Sequence, residues 1–208
     1  MRNVLDKNMF FAKFKNVILT QFGEEEGNTL WKHAGKISAD LLDRHPKAVP
    51  DAKNVAYPMA GIYLALQEKV SKEEARRLMM DYAPSAGEDV KRQLAKLTGF
   101  PGLPKLIWRH REAIMRSAGS EKKGYKSKMI VDVGEESVTM YVYACPIHET
   151  LKELGMPEIA PVMCAIDKIY TTGIRGVRYH RQKSVAEGDE YCDYYITREA
   201  LPESREYQ

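Results

Sequence analysis

The sequence predicts an α+β protein, in which a helical N-terminal half is followed by an antiparallel sheet with two short helices inserted. Three observations carry this. Apolar residues recur at helical spacing through the first half, β-branched and aromatic runs flank a glycine-containing turn after Ala118, and two short helical segments separate that hairpin from two closing strands.

In order along the chain, Leu5, Met9, Phe10, Phe14, Val17 and Ile18 form an apolar stripe against Lys7, Lys13 and Lys15, which predicts an amphipathic helix from Val4 to Val17. A second is predicted from Glu24 to Asp43, with Leu30, Trp31, Ala34, Ile37, Leu41 and Leu42 inward, and His45-Pro46 stops it. A third spans Pro58 to Lys69. Ser71-x-x-Glu74 has the capping-box spacing that satisfies two orphan N–H groups, so a fourth begins there, and Pro84 is expected to break or kink it. After the turn-rich Gly99-Phe-Pro-Gly-Leu-Pro104, the residues Leu106, Ile107, Ala113, Ile114 and Met115 predict one further helix.

Beyond the polar stretch from Gly119 to Gly124, Met129–Val133 and Val138–Tyr143 on either side of Gly134-Glu-Glu read as a hairpin. Pro146 in a first turn and Gly155 at a left-handed cap bound a short helix, Pro146–Leu154. Another helix is predicted from Pro157 to Tyr170, then extended segments at Val177–Gln182 and Glu190–Thr197. The expected organisation is a helical region at 1–118, an α+β region carrying the cysteines at 119–200 and a polar tail at 201–208, in one compact domain.

The chain has 208 residues, 44% hydrophobic and 29% charged, a balance too apolar for general disorder. Its 32 basic and 29 acidic residues are dispersed, so no one-sided field would attract a polyanion and nucleic acid is not an expected partner. No run reaches the roughly 18–20 apolar residues of a membrane span, and lysines interrupt the apolar N-terminus where a signal peptide would be continuous. A cytoplasmic protein with three reduced thiols is expected, with a small molecule as its partner. The apolar helical faces would also suit a homodimer.

Chemistry concentrates on Cys145, Cys164 and Cys192. Cys145 precedes Pro146 at a strand-to-helix junction, where helix N–H groups favour thiolate over thiol, although a buried inert thiol fits the same position. Cys164 and Asp167 are spaced i, i+3 and share a helix face, so the pair can address one atom; the alternative is a core thiol beside a solvated carboxylate. Cys192 and Asp193 are neighbours in a strand and should point to opposite faces, Cys192 inward. No C-x-x-C or H-E-x-x-H is present. The three cysteines with Asp167 or His148 could still hold zinc or another divalent metal, but their spacing carries no signal, and no cofactor is firmly implied. Gly173-Ile-Arg-Gly176 reads as a turn, and the absence of G-x-S-x-G removes the simplest serine-hydrolase reading.

The pattern Cys145-Pro-x-x-x-x-Leu151-x-x-Leu154-Gly155, then Pro161-x-x-Cys164-x-x-Asp167, an arginine-bearing strand, and Gly188-x-x-x-Cys192-Asp193-Tyr194 resembles the L-2-amino-thiazoline-4-carboxylic acid hydrolase family. Where that family commonly has Cys-Asp-Phe, this chain has Cys192-Asp193-Tyr194. The resemblance implies a hydrolase in which water opens a 2-aminothiazoline ring at its amidine-like carbon, giving a carbamoyl-cysteine. On that reading Cys145 is the candidate nucleophile and Asp167 the base or proton shuttle, with Cys164 and Cys192 lining the pocket. His148 and Asp193 join them as substrate-binding candidates. The substrate carboxylate calls for a guanidinium from Arg178 or Arg181, which face opposite sides of a regular strand, so one of the two at most is the clamp. The alternative is a non-catalytic small-molecule-binding or sensory α+β module.

Overall fold

The structure is a computed structural model and describes residues 3–131 and 137–199. Its architecture is α+β: helices α1 (Phe14–Phe22), α2 (Glu24–Arg44), α3 (Tyr57–Gln67), α4 (Lys72–Thr98), α5 (Leu103–Arg109) and α6 (Arg111–Ala118) precede strands β1 (Lys126–Val131) and β2 (Ser137–Ala144). Helices α7 (Pro146–Glu153) and α8 (Ala160–Tyr170) then lead to β3 (Val177–His180) and β4 (Cys192–Arg198). The predicted Gly134-Glu-Glu turn and the 201–208 tail lie outside the described residues.

Most predicted elements are present, and the differences have local causes. The first helix begins at Phe14, not Val4; only a 3-10 turn spans Val4–Lys7. Asn8 explains this, because its side-chain oxygen accepts the N–H groups of Phe10 and Phe11 and so offers the backbone a partner other than the helix. The Ser71 cap forms, its hydroxyl accepting from Glu74 N at 3.2 Å. Pro84 does not break α4, which runs through it to Thr98. The proline is on the exposed side, while Leu78, Met79, Tyr82, Ala83, Ala86 and Val90 keep one buried stripe on both sides of it. Burying that stripe outweighs the roughly 3 kcal/mol that an interior proline costs. The single helix expected after Pro104 is two, because His110 leaves helical geometry at φ −104° and ψ 14°.

The sheet has the order β1-β2-β4-β3, antiparallel throughout. On the two central strands Met140 faces Tyr194 and Val142 faces Cys192, so Val138, Met140 and Val142 share a face with Cys192, Tyr194 and Ile196. Met115 of α6 packs on that face and forms a second core with Val138, Met140, Val142, Val177, Cys192 and Ile196. The larger core is helical, and it continues past residue 118: Leu151 of α7 and Val162 and Ile166 of α8 belong to it along with Leu5, Phe11, Tyr63 and Met79. Cys145 packs against both cores and marks the seam between them.

Helix α8 lies against α4. Gly87 permits this closeness, since a Cβ there would sit 2.7 Å from Ile169 Cβ and 3.2 Å from Ile166 O. Helix α7 ends in a Schellman arrangement around Gly155, at φ 76°, with Gly155 N donating to Lys152 O and Met156 N to Leu151 O.

Candidate active site

At the seam is a cavity of about 140 Å³. Cys145, His148, Cys164, Asp167 and Arg181 line it, and so do Asp51, Tyr125, Tyr170 and Tyr194, with Phe10, Val55, Ile147, Ala160, Met163 and Ala186 as apolar wall. Cys192, Asp193 and Arg178 do not line it. Cys192 is 3% exposed in the sheet core, where its sulfur accepts Val185 N at 3.4 Å. Asp193 ties down the loop after β3: its Oδ1 accepts Gln182 N at 2.9 Å and Lys183 N at 2.5 Å. Arg178 is exposed on β3, so of the two arginines only Arg181 reaches the cavity.

Cys145 occupies the N-cap of α7 without a side-chain capping hydrogen bond, and the backbone N–H groups of His148 and Ile147 favour its thiolate. The expected fall in its pKa does not follow. Burial outweighs the two N–H groups, the nearby sulfurs of Cys164 and Cys192 add to it, and the thiol is pushed up to about 12. At neutral pH Cys145 is therefore a thiol.

Helix α8 presents Cys164, Asp167 and Tyr170 at three-residue steps to the same cavity. Burial raises the pKa of Asp167, against the opposing pull of Arg181 and hydrogen bonds from Tyr170 and Tyr194. The Arg181 guanidinium is 5% exposed, stands 3.9 Å from Asp167 Oδ2 and donates to the Cys164 carbonyl at 2.8 Å. It also lies 5.4 Å from the centre of the Tyr194 ring. Its Nε and the His148 Nδ1 are buried without a hydrogen-bond partner; the latter is 3.4 Å from Glu149 but out of line for a bond. A bound acceptor would satisfy the guanidinium Nε.

Cys164 Sγ is 3.3 Å from the hydroxyl of fully buried Ser184, which sits between it and Cys192. Among the described residues no three His, Cys, Asp or Glu side chains form a group able to hold a metal ion, so the three-cysteine set with Asp167 or His148 does not fit a zinc site.

Sequence reasoning missed Asp51, Tyr125 and Phe10 from outside the cysteine-rich third, and Tyr170 within it. Asp51 precedes a π turn at Ala52–Ala56 that feeds α3, and its Oδ2 accepts the Tyr125 hydroxyl at 2.6 Å. Phe10 is held over the cavity by Tyr82, whose hydroxyl donates to Phe10 O at 2.8 Å. Nothing in the local sequence singles out Asp51, since π turns leave no spacing signature; Tyr170, at i+3 from Asp167, was within reach of helix-face reasoning.

Fold and cavity together define an α+β protein with a thiol, carboxylates and a guanidinium gathered at one small enclosed site. The family model for L-2-amino-thiazoline-4-carboxylic acid hydrolase matches residues 52–196, more than half of the sequence, and the chain belongs to that family. A comparison with curated proteins returns no match. Among solved structures the chain is similar to the Fe(II) unliganded H-NOX protein from K. algicida, at 14% identity over 97% of this chain and 100% of that one, with a TM-score of 0.30; so low a score carries no argument. No helix among the described residues is long and apolar enough to cross a membrane.

Proposed function

We propose that this protein is a hydrolase that opens a small cyclic C–N/C–S substrate of the 2-aminothiazoline-4-carboxylate type. The observation that carries this reading is the convergence of Cys145, Asp167 and Arg181 on one cavity of about 140 Å³. A cavity of roughly 150 Å³ accommodates a benzene-sized ring, so the space suits one small heterocycle and excludes polymers.

The orphaned Arg181 Nε takes the substrate carboxylate and fixes the ring. Cys145 adds its sulfur to the carbon of the substrate amidinium, the thiol proton being released to solvent, and the bond from that carbon to the ring sulfur breaks. Asp167, whose raised pKa favours the carboxylic acid, supplies the proton to the departing sulfur. Water then adds at the same carbon and displaces Cys145 as a thiol, Asp167 recovering its proton, so the sum is the amidinium ring plus water giving a carbamoyl-cysteine and the released proton.

The test is Cys145→Ala. It should keep a cooperative thermal transition and lose ring opening of 2-amino-2-thiazoline-4-carboxylate, followed by mass spectrometry of the product; retained turnover would remove the nucleophile role. A second reading, a binding module without chemistry, draws on one observation: the Cys145 thiol at about 12 is unreactive at neutral pH. Saturable ligand binding by wild type with no product after prolonged incubation would favour it.

A further inference from the structure

The cavity has two carboxylates in unequal surroundings. Asp167 faces the Arg181 guanidinium and receives two phenol hydrogen bonds. Asp51 has the Tyr125 hydroxyl as its hydrogen-bond partner, and no cation pairs with it among the described residues. At the other pole, Arg181 keeps a buried, unused N–H. The cavity lining therefore includes a carboxyl group whose hydrogen-bond partner is a phenol and a buried donor without a partner. A buried donor without a partner is costly, and a ligand that supplies the missing acceptor recovers that cost.

Resting on the hydrolase reading above, we infer that Asp51, held by Tyr125, is the residue that recognises the cationic amidinium of the substrate and sets the preference for cyclic amidines over neutral cyclic ureas, thiocarbamates and hydantoins. Asp51, Tyr125 and Cys145 line the same cavity, and the Tyr125 hydroxyl donates to Asp51 Oδ2 at 2.6 Å. The π turn that begins at Ala52 widens the backbone at this point and turns Asp51 and Val55 into the cavity. An amidinium carries two parallel N–H donors, and the free Asp51 oxygen can accept one of them in a charge-assisted bond that a neutral carbonyl cannot make.

The experiment compares two ligands of nearly equal shape. 2-Amino-2-thiazoline-4-carboxylate has the amidine; 2-oxothiazolidine-4-carboxylate keeps the ring, sulfur and carboxylate but presents a neutral carbonyl. Binding of each to the full chain is measured by calorimetry in a Cys145→Ala background, with Asp51 intact, Asp51→Asn and Tyr125→Phe. Turnover of both ligands is measured in parallel with the wild type. With Asp51 intact the amidine should bind roughly 10- to 100-fold tighter, as one charge-assisted hydrogen bond allows. Asp51→Asn, which can still accept the Tyr125 hydroxyl and should keep its thermal transition, should bring the ratio to within about threefold. Tyr125→Phe keeps the carboxylate but removes the hydrogen bond that holds it, and should reduce the preference less than Asp51→Asn does.

An unchanged ratio in Asp51→Asn overturns the inference, as does equal loss of preference in Tyr125→Phe, which would assign the effect to local folding. Wild-type turnover of both ligands without preference leaves the hydrolase reading standing and removes this one. Absence of binding to either ligand removes both.

Discussion

Cys145 shows how a residue-scale expectation can be right in geometry and wrong in energy. It stands at the N-cap of α7, where helix N–H groups favour a thiolate, but it packs between two cores, and desolvation of a thiolate costs more than those N–H groups return. Alkylation of Cys145 in the ligand-free protein by iodoacetamide, followed by peptide mass spectrometry, should therefore be slow at pH 7. It should speed up by ~10-fold per pH unit up to pH 10, because the rate follows the thiolate fraction. Fast, pH-independent alkylation at neutral pH would show that the helix wins. Arg181 makes a second residue-scale prediction. Arg181→Met removes the cation that opposes burial at Asp167, so any carboxyl still ionised becomes an unpaired buried charge, a loss of up to roughly 3–5 kcal/mol. Asp167 can escape that cost by taking up a proton, so the destabilisation should be smaller at pH 5 than at pH 8 in urea unfolding. Equal loss at both pH values would mean that Asp167 does not depend on this guanidinium.

At the scale of elements, the position of α8 decides the site, because Cys164, Asp167 and Tyr170 all ride on it. Its closeness to α4 depends on Gly87, and Gly87→Ala inserts a methyl 2.7 Å from Ile169 Cβ. Overpacking of that kind costs about 1–3 kcal/mol, and the displaced α8 should also weaken ligand binding. A variant of unchanged stability and affinity would show that the two helices separate freely. The cap of α4 is an independent device: Ser71→Ala should lower stability by about 1 kcal/mol, measured by chemical denaturation, without touching ligand affinity. These devices differed in legibility. The Ser71 cap, Pro146 at a first turn and Gly155 past a helix end are local signals that could be read from neighbours in sequence. Asn8 diverting the first helix was equally local but competed with a strong apolar stripe, and the persistence of α4 through Pro84 depended on a buried face supplied by other helices.

Over the whole molecule, buried phenols and thiol dominate the response to pH. Burial pushes Tyr82 and Tyr179 up to about 12, alongside Cys145 at about 12. The unfolded chain releases these protons at roughly pH 8.5–10, whereas the folded protein keeps them until near 12, so the unfolded state binds fewer protons and stability falls as pH rises above about 9. The thermal midpoint should drop progressively from pH 9 to 11, and a flat profile would contradict this burial. The whole fold also relocates the site. Reading the chain linearly confines it to the cysteine-rich third, while the folded protein brings Phe10 and Asp51 from the helical half and Tyr125 from before β1 to the same cavity. Amino-acid order alone was enough for the α+β class, for the sharing of a helix face by Cys164 and Asp167, and for the family to which the chain belongs, because periodicity, caps and motif residues are properties of neighbours. Only the tertiary structure decided that Arg181 and not Arg178 lines the cavity, that Cys192 is a core thiol, that Asp51 faces the site, and that Cys145 stays protonated. Each of those depends on burial and on contacts between segments far apart in the chain, which no local spacing records.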